Sequence, residues 1–277
     1  MVKVLDHGYV KLIPKGCCGS DEIIIESARM STDGAFRGWG PLVCPECSKL
    51  DTPEAKWTYS GCKKCKGSGT VEGDEKLLAR LWRDKHTSPF EMAYLTVEIQ
   101  APLFVARELV RHRTFSWNEL SGRYAELPNL FYLPSIERLE RGGQSKSNKQ
   151  GSGELLKCPN ILRAEIESAQ NMAYGSYESL LKKGLSRELA RVVLPVSIYT
   201  RWRWSGNLRN WLQMLSLRLP EDVQEETRLY GREVAAMVGK AFPRTFKLFK
   251  EGLPEGTIPV APQGETENPP LEGSREG

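Results

Sequence analysis

No run of apolar residues in this 277-residue chain approaches the roughly eighteen that a membrane-spanning helix needs, so a bilayer-threading protein is excluded. The first residues, Met1 to His7, carry Lys3 and Asp6 and lack the apolar core of a secretion signal. Histidine is scarce, with only His7, His86 and His112. Cysteine is odd in number at 7, which does not close into a disulfide framework. Charge of one sign is nearly absent as an excess: 39 Lys+Arg against 35 Asp+Glu leave +4, too mild to mark a nucleic-acid binder. There is no internal repeat. What is present, 40% hydrophobic and 27% charged residues, is ordinary globular composition and excludes wholesale disorder. A soluble, cytoplasmic protein of one large domain or two small ones is expected.

The averages hide an uneven distribution. Residues 254–277 hold five prolines, four glycines and five glutamates against one arginine, a charge of −4. Such a segment cannot bury enough surface to offset its own ordering, which predicts a disordered acidic tail. Without it, residues 1–253 carry +8. Gly142 to Gly153 contains no apolar side chain and reads as a flexible loop.

Between these lie strands and helices. Leu95, Val97 and Ile99 alternate with Thr96, Glu98 and Gln100, the period of a half-buried strand. Pro102 suits the first turn of a helix running towards His112. A second strand is read from Val196, Ile198, Thr200, Trp202 and Trp204 on one face, with Arg201 and Arg203 on the other. Leu208, Trp211, Leu212 and Leu215 follow the spacing of an amphipathic helix. A further helix from Val223 to Ala241 is stopped by Pro243. Interleaved strands and helices predict a mixed α/β fold.

Four of the cysteines form two pairs, Cys44-Pro-Glu-Cys47 and Cys62-Lys-Lys-Cys65, fourteen residues apart. This spacing lets four thiolates converge tetrahedrally on one ion, and zinc is the expected metal. Iron in a rubredoxin-like site and redox-active or disulfide-paired cysteines are the rivals. No coordination position is left open, so the site reads as structural. Cys17, Cys18 and Cys158 have no partner at ligand spacing.

The remaining signals are rich in arginine. Between Arg187 and Arg218 stand six arginines, no lysine and one acid, Glu188. Arginine without lysine points to planar or oxyanionic ligands held by bidentate donors, and so to a pocket for phosphorylated ligands. Arginines near helix ends can also do no more than satisfy terminal carbonyls. His86-Thr-Ser88-Pro89-Phe-Glu91 reads as a capping box, with Ser88 as cap and Pro89 at the first helical position.

Taken together, Arg111-His112-Arg113 followed by Ser121 in RHRTFSWNELSGRY, the HTSPFE segment, Glu26 to Ser31, Arg187 to Pro195 and Asn207-Leu-Arg209 leading to Arg218 resemble the flavin-dependent thymidylate synthase family. The resemblance implies that family's fold, a central sheet flanked by helices, in a homotetramer with shared active sites. It implies a catalytic domain over 1–253, interrupted by a four-cysteine insertion at 41–72 that the simplest members lack. The implied reaction is reductive methylation of dUMP to dTMP, with 5,10-methylenetetrahydrofolate as carbon donor and NADPH-reduced FAD as hydride carrier, and with no cysteine nucleophile. Arg218 would polarise the uracil. Ser88, Arg111, His112, Arg113, Glu119, Asn207, Arg209 and Gln213 would hold FAD. Glu108, Arg111, Ser121, Gly122, Arg123, Arg191 and Arg218 would hold dUMP, with His86 a supporting candidate. Gln213 stands where relatives often have Asn or His, and Asp222 where they commonly have His. Two alternatives stay open: a flavin enzyme methylating another uracil derivative, and an inactive zinc-knuckle protein gripping nucleic acid. Nucleic acid is not the expected partner, because the knuckles offer few aromatics for base stacking.

Overall fold

The structure is a computed structural model and describes residues 1–49, 62–254 and 257. The acidic tail expected over 254–277 therefore lies almost wholly outside the described residues, as does the middle of the 41–72 insertion. In chain order the elements are β1 (Val2–Val4), β2 (Gly8–Leu12), α1 (Asp21–Arg29), β3 (Leu42–Val43), β4 (Thr70–Val71), α2 (Glu75–Arg83) and β5 (Tyr94–Pro102). They continue with α3 (Leu103–Leu109), β6 (Ser116–Glu119), α4 (Ile136–Glu140), β7 (Gly143–Gln144), β8 (Ser152–Glu154) and α5 (Pro159–Lys182). The last are α6 (Arg187–Ala190), β9 (Tyr199–Asn207), α7 (Leu208–Arg218), α8 (Glu225–Ala241) and α9 (Pro243–Glu251).

The fold is mixed α/β around a five-stranded antiparallel sheet in the order β1-β2-β5-β9-β6. Strands β5 and β9 form its spine, paired from Tyr94↔Asn207 to Pro102↔Tyr199. The alternation in β5 puts Leu95, Val97, Ile99 and Ala101 on the buried face, where Trp202 and Trp204 of β9 join them. Trp117 stacks on Trp202 at 4.4 Å, and Trp211 of α7 lies edge-on to Trp204 at 4.9 Å. The indole N–H of Trp211 donates to the carbonyls of Leu95 and Gly206, both at 3.0 Å, so α7 is pinned across both spine strands. The opposite face is polar, with Arg201 and Arg203 exposed and Tyr9 donating to Glu98 at 2.9 Å. Among the described residues no helix is long and apolar enough to cross a membrane.

Four local expectations are corrected. Strand β9 begins at Tyr199 instead of Val196, because the Val196 and Ile198 carbonyls accept from Phe104 N and Leu103 N at 3.0 and 2.9 Å and so serve the start of α3. Pro102 ends β5 and occupies the position before the first turn of α3. Ser88 does not cap: 88–92 is one short 3-10 turn with Thr87 at its head and no side-chain cap, since Phe90 N already donates to the Thr87 carbonyl. The loop at 142–153 contains a small hairpin, β7 with β8, paired through backbone groups that need no apolar side chain. Pro243 stops α8 and also opens α9 at its first position.

Candidate active site

Both spine strands run without a loop into helices. Pro102 leads directly into α3, and Asn207, whose side chain accepts from Asn210 N at 3.0 Å, caps α7. The far ends of these helices meet. Arg218, the last residue of α7, donates from Nε to Nε2 of His112 at 3.0 Å. Its other nitrogens donate to the Glu108 carboxylate at 2.9 Å and to the Glu108 carbonyl at 3.1 Å. A guanidinium has five N–H donors, so three are engaged and about two remain for a ligand. His112 accepts this bond only as a neutral ring. Burial first, and the Arg218 charge second, push its pKa down to about 4.

Glu108, Arg111 and Arg218 line a cleft of about 450 Å³ with Phe104, Arg107 and Val196. Phe104 and Arg107 were not among the expected site residues. The spacing Phe104, Arg107, Glu108, Arg111 is one helical face, and that period was the signal that could have found them. A second cleft, about 420 Å³, gathers Glu119, Gly122 and Arg191 beside Glu188, Tyr199 and Thr200. Glu119 accepts from the Thr200 hydroxyl at 2.6 Å and from the Trp117 indole at 3.2 Å. Ser121 Oγ accepts from Arg123 N at 3.3 Å, and Arg123 lies 3.4 Å from Glu188.

A third cleft, about 640 Å³, holds Arg209 and Gln213 against an apolar wall that includes Trp82, Phe90 and Leu212. Arg209 is paired with Glu91. Thr87, not Ser88, is on its wall, and Asn207 is engaged as a helix cap. Arg111 and Arg113 are exposed, and His86 is exposed and lines none of these clefts. Thus eight of the expected residues line three clefts: Glu108, Arg111 and Arg218 one, Gly122, Glu119 and Arg191 another, and Arg209 with Gln213 the third, whereas Ser88, His112, Arg113, Ser121, Arg123 and Asn207 line none of them. A single chain does not bring them into one pocket.

Apart from these, Cys44, Cys47, Cys62 and Cys65 come together, all buried, with their sulfurs within 4.8 Å of one another.

Fold and site define a class: a mixed α/β protein that presents fixed and free guanidinium groups to planar, anionic ligands. Comparison with known proteins makes the class specific. Residues 17–244 match the family described as thymidylate synthase complementing protein. A flavin-dependent thymidylate synthase of Thermus thermophilus is 38% identical over 257 residues, covering 93% of this chain and 81% of the relative. That of Dictyostelium discoideum is 42% identical over 187 residues, 66% of this chain and 61% of the relative. Among solved structures, a UMP/dUMP methylase, PolB from Streptomyces cacaoi bound with 5-Br dUMP, superposes with a TM-score of 0.69 at 28% identity, covering 90% of this chain and 97% of that one. The chain belongs to the thymidylate synthase complementing protein family.

Proposed function

We infer that this chain is a flavin-dependent thymidylate synthase that methylates dUMP to dTMP. The observation that carries the reading is Arg218, held by a neutral histidine and a carboxylate at the edge of a cleft within this family's fold. With His112 uncharged, the guanidinium keeps its full positive character on the open side. Its two remaining donors suit a uracil carbonyl whose oxygen gains negative charge as C5 becomes nucleophilic. Glu108 fixes the guanidinium plane, and its second carboxylate oxygen stays available to the nucleotide. Arg111, exposed on the same cleft, and Arg191, on the neighbouring one, are fitted to a phosphate dianion.

The chain fits a flavin. The third cleft sets an apolar wall, Trp82 and Phe90, beside the hydrogen-bonding side chains of Gln213 and Arg209, which suits an aromatic ring with a polar rim. Exposed Arg111 and Arg113 suit its diphosphate. Bound FAD would supply hydride transfer, with NADPH as reductant and 5,10-methylenetetrahydrofolate as carbon donor. The homotetramer and the cytoplasmic setting belong to the same proposal. The split of the substrate residues over separate clefts supports the assembly, because residues from a second copy would complete each one.

The deciding experiment is dTMP formation from dUMP, methylenetetrahydrofolate and NADPH by protein loaded with FAD; no product with flavin bound would overturn the reading. UMP belongs in the same assay, since the PolB neighbour is named for both nucleotides. A preference for UMP would favour the second reading, a methylase of another uracil nucleotide. The four-cysteine cluster lies apart from the three clefts and has no assigned part in the transfer.

A further inference from the structure

We propose that Cys44, Cys47, Cys62 and Cys65 bind one zinc ion, and that this ion fastens the ends of the 41–72 insertion to a buried junction with α1 and α9. The sulfur geometry is that of a coordination sphere and not of a disulfide. Cys44 and Cys62 sulfurs are 3.8 Å apart, and Cys47 and Cys65 sulfurs 3.5 Å. A tetrahedron with zinc–sulfur distances of about 2.3 Å has an edge of about 3.8 Å. A disulfide would need about 2.05 Å.

The backbone is shaped for thiolates. Gly67 and Gly69 sit at φ of 86° and 71°, which favours glycine and lets the backbone curl round the Cys65 side. Each second-knuckle cysteine closes a tight turn, with Lys66 N donating to the Cys62 carbonyl at 2.7 Å and Ser68 N to the Cys65 carbonyl at 3.1 Å. Binding converts four thiols to thiolates, releasing four protons, and leaves a formal −2 on the centre. Lys63, Lys64 and Lys66 stand beside it in the sequence to offset that charge. The closed four-sulfur set leaves no position for water or substrate, so the ion is structural. Only Val71, partly buried, packs against the cysteines, so the insertion has almost no apolar core of its own among the described residues.

The insertion is rooted at one place. Leu42 and Val43 of β3 pair with Val71 and Thr70 of β4, and the Cys44 amide donates to the Gly69 carbonyl at 2.9 Å. Beyond this ladder the chain entering and the chain leaving run side by side. Asp74 N donates to the Gly38 carbonyl at 3.0 Å, and Gly40 N to Glu75 at 2.5 Å. A Cβ on Gly73 would lie 2.5 Å from the Gly40 carbonyl oxygen, so no side chain fits between them. Asp74, 1% exposed, accepts from Arg29 and from Arg37 N at 2.7 Å. Arg244, from α9, reaches Glu75 at 3.5 Å and lies 4.5 Å over the Trp39 ring. The ion therefore closes a long excursion of chain whose two ends frame a buried ion pair.

The test uses the full-length protein and zinc itself, and is independent of turnover. Metal analysis is expected to give about one zinc per chain, with iron far below it. Titration with an organomercurial should release that zinc into a chromogenic chelator only as the four cluster thiols react, in addition to the exposed Cys18 and Cys158. Cys47→His, which keeps four ligands, should retain zinc, whereas Cys47→Ala should lose most of it. Hydrogen exchange before and after release reads the fastening: amides at 37–43 and 70–75 should lose protection at least several-fold while β5 stays unchanged. Iron at stoichiometry, or no metal with Cys44, Cys47, Cys62 and Cys65 themselves alkylated freely in the native protein, would overturn the site. Unchanged protection at 37–43 after zinc release would overturn its fastening role.

Discussion

Two of the three Arg218 bonds depend on unlike side-chain partners, the Glu108 carboxylate and His112 as a neutral acceptor, and the third goes to the Glu108 carbonyl. Arg218→Ala should abolish measurable dTMP formation while FAD absorbance of the purified protein is retained; an active variant would remove its assigned role. Arg218→Lys keeps a charge but has no planar fork. It should recover little of the lost rate. His112 links this contact to pH. A free imidazole titrates near about 6.5, whereas burial and Arg218 hold the folded ring down to about 4. Because the folded pKa is the lower one, the unfolded chain binds the proton first as pH falls. The stability contributed by the neutral ring is present above about pH 6.5 and is lost as pH falls towards about 4. His112→Gln, which keeps an acceptor but cannot titrate, should therefore lose less stability between pH 7 and pH 4.5 than the parent. Equal shifts in urea midpoint for the two proteins would sink that account.

At the scale of elements, what could be read from sequence was what short-range periodicity writes. The two-residue alternation of Leu95, Val97 and Ile99 and the three-and-four spacing of Leu208, Trp211, Leu212 and Leu215 located β5 and α7, because each pattern is complete within its own segment. The start of β9 was not legible, since it is decided by Phe104 and Leu103 amides about ninety residues away. Ser88 misled for a related reason: the amide within its reach had found a carbonyl. The meeting of Arg218 with Glu108, 110 residues apart, could be guessed only through family likeness. Another long-range polar contact escaped altogether. Glu226, buried in α8, accepts from Tyr132 at 2.9 Å and from Arg138 at 2.8 Å, joining α8 to α4. Glu226→Ala would leave Arg138, whose side chain is 19% exposed, with only its longer 3.7 Å pair to Glu225, and would remove the acceptor of Tyr132. Its cost is expected to be about 3 kcal/mol in denaturant unfolding. Trp211→Phe should cost less, about 1–2 kcal/mol, by leaving the Leu95 and Gly206 carbonyls without their shared donor.

For the whole molecule, the charge that looked faint as +4 is a body of +8 with arginines distributed over three clefts. If copies of the chain complete one another's clefts, Arg218→Ala and Arg191→Ala proteins, each inactive, should regain activity when co-assembled. Failure to regain it, with mixed assemblies demonstrated by mass, would place each site in one chain. The spine itself imposes a length condition. Helices α3 and α7 leave opposite ends of the β5–β9 pair, and their far ends meet at Glu108 and Arg218. Nine-residue strands span about 26 Å at about 3.3 Å per step. Seven and eleven helical residues add up to about 27 Å at 1.5 Å each. The helices thus behave as two arms of a caliper whose jaws close on one guanidinium. One residue added to either arm would turn its tip by about 100° and advance it by about 1.5 Å. The count of residues from Asn207 to Arg218 is thus fixed by the sheet.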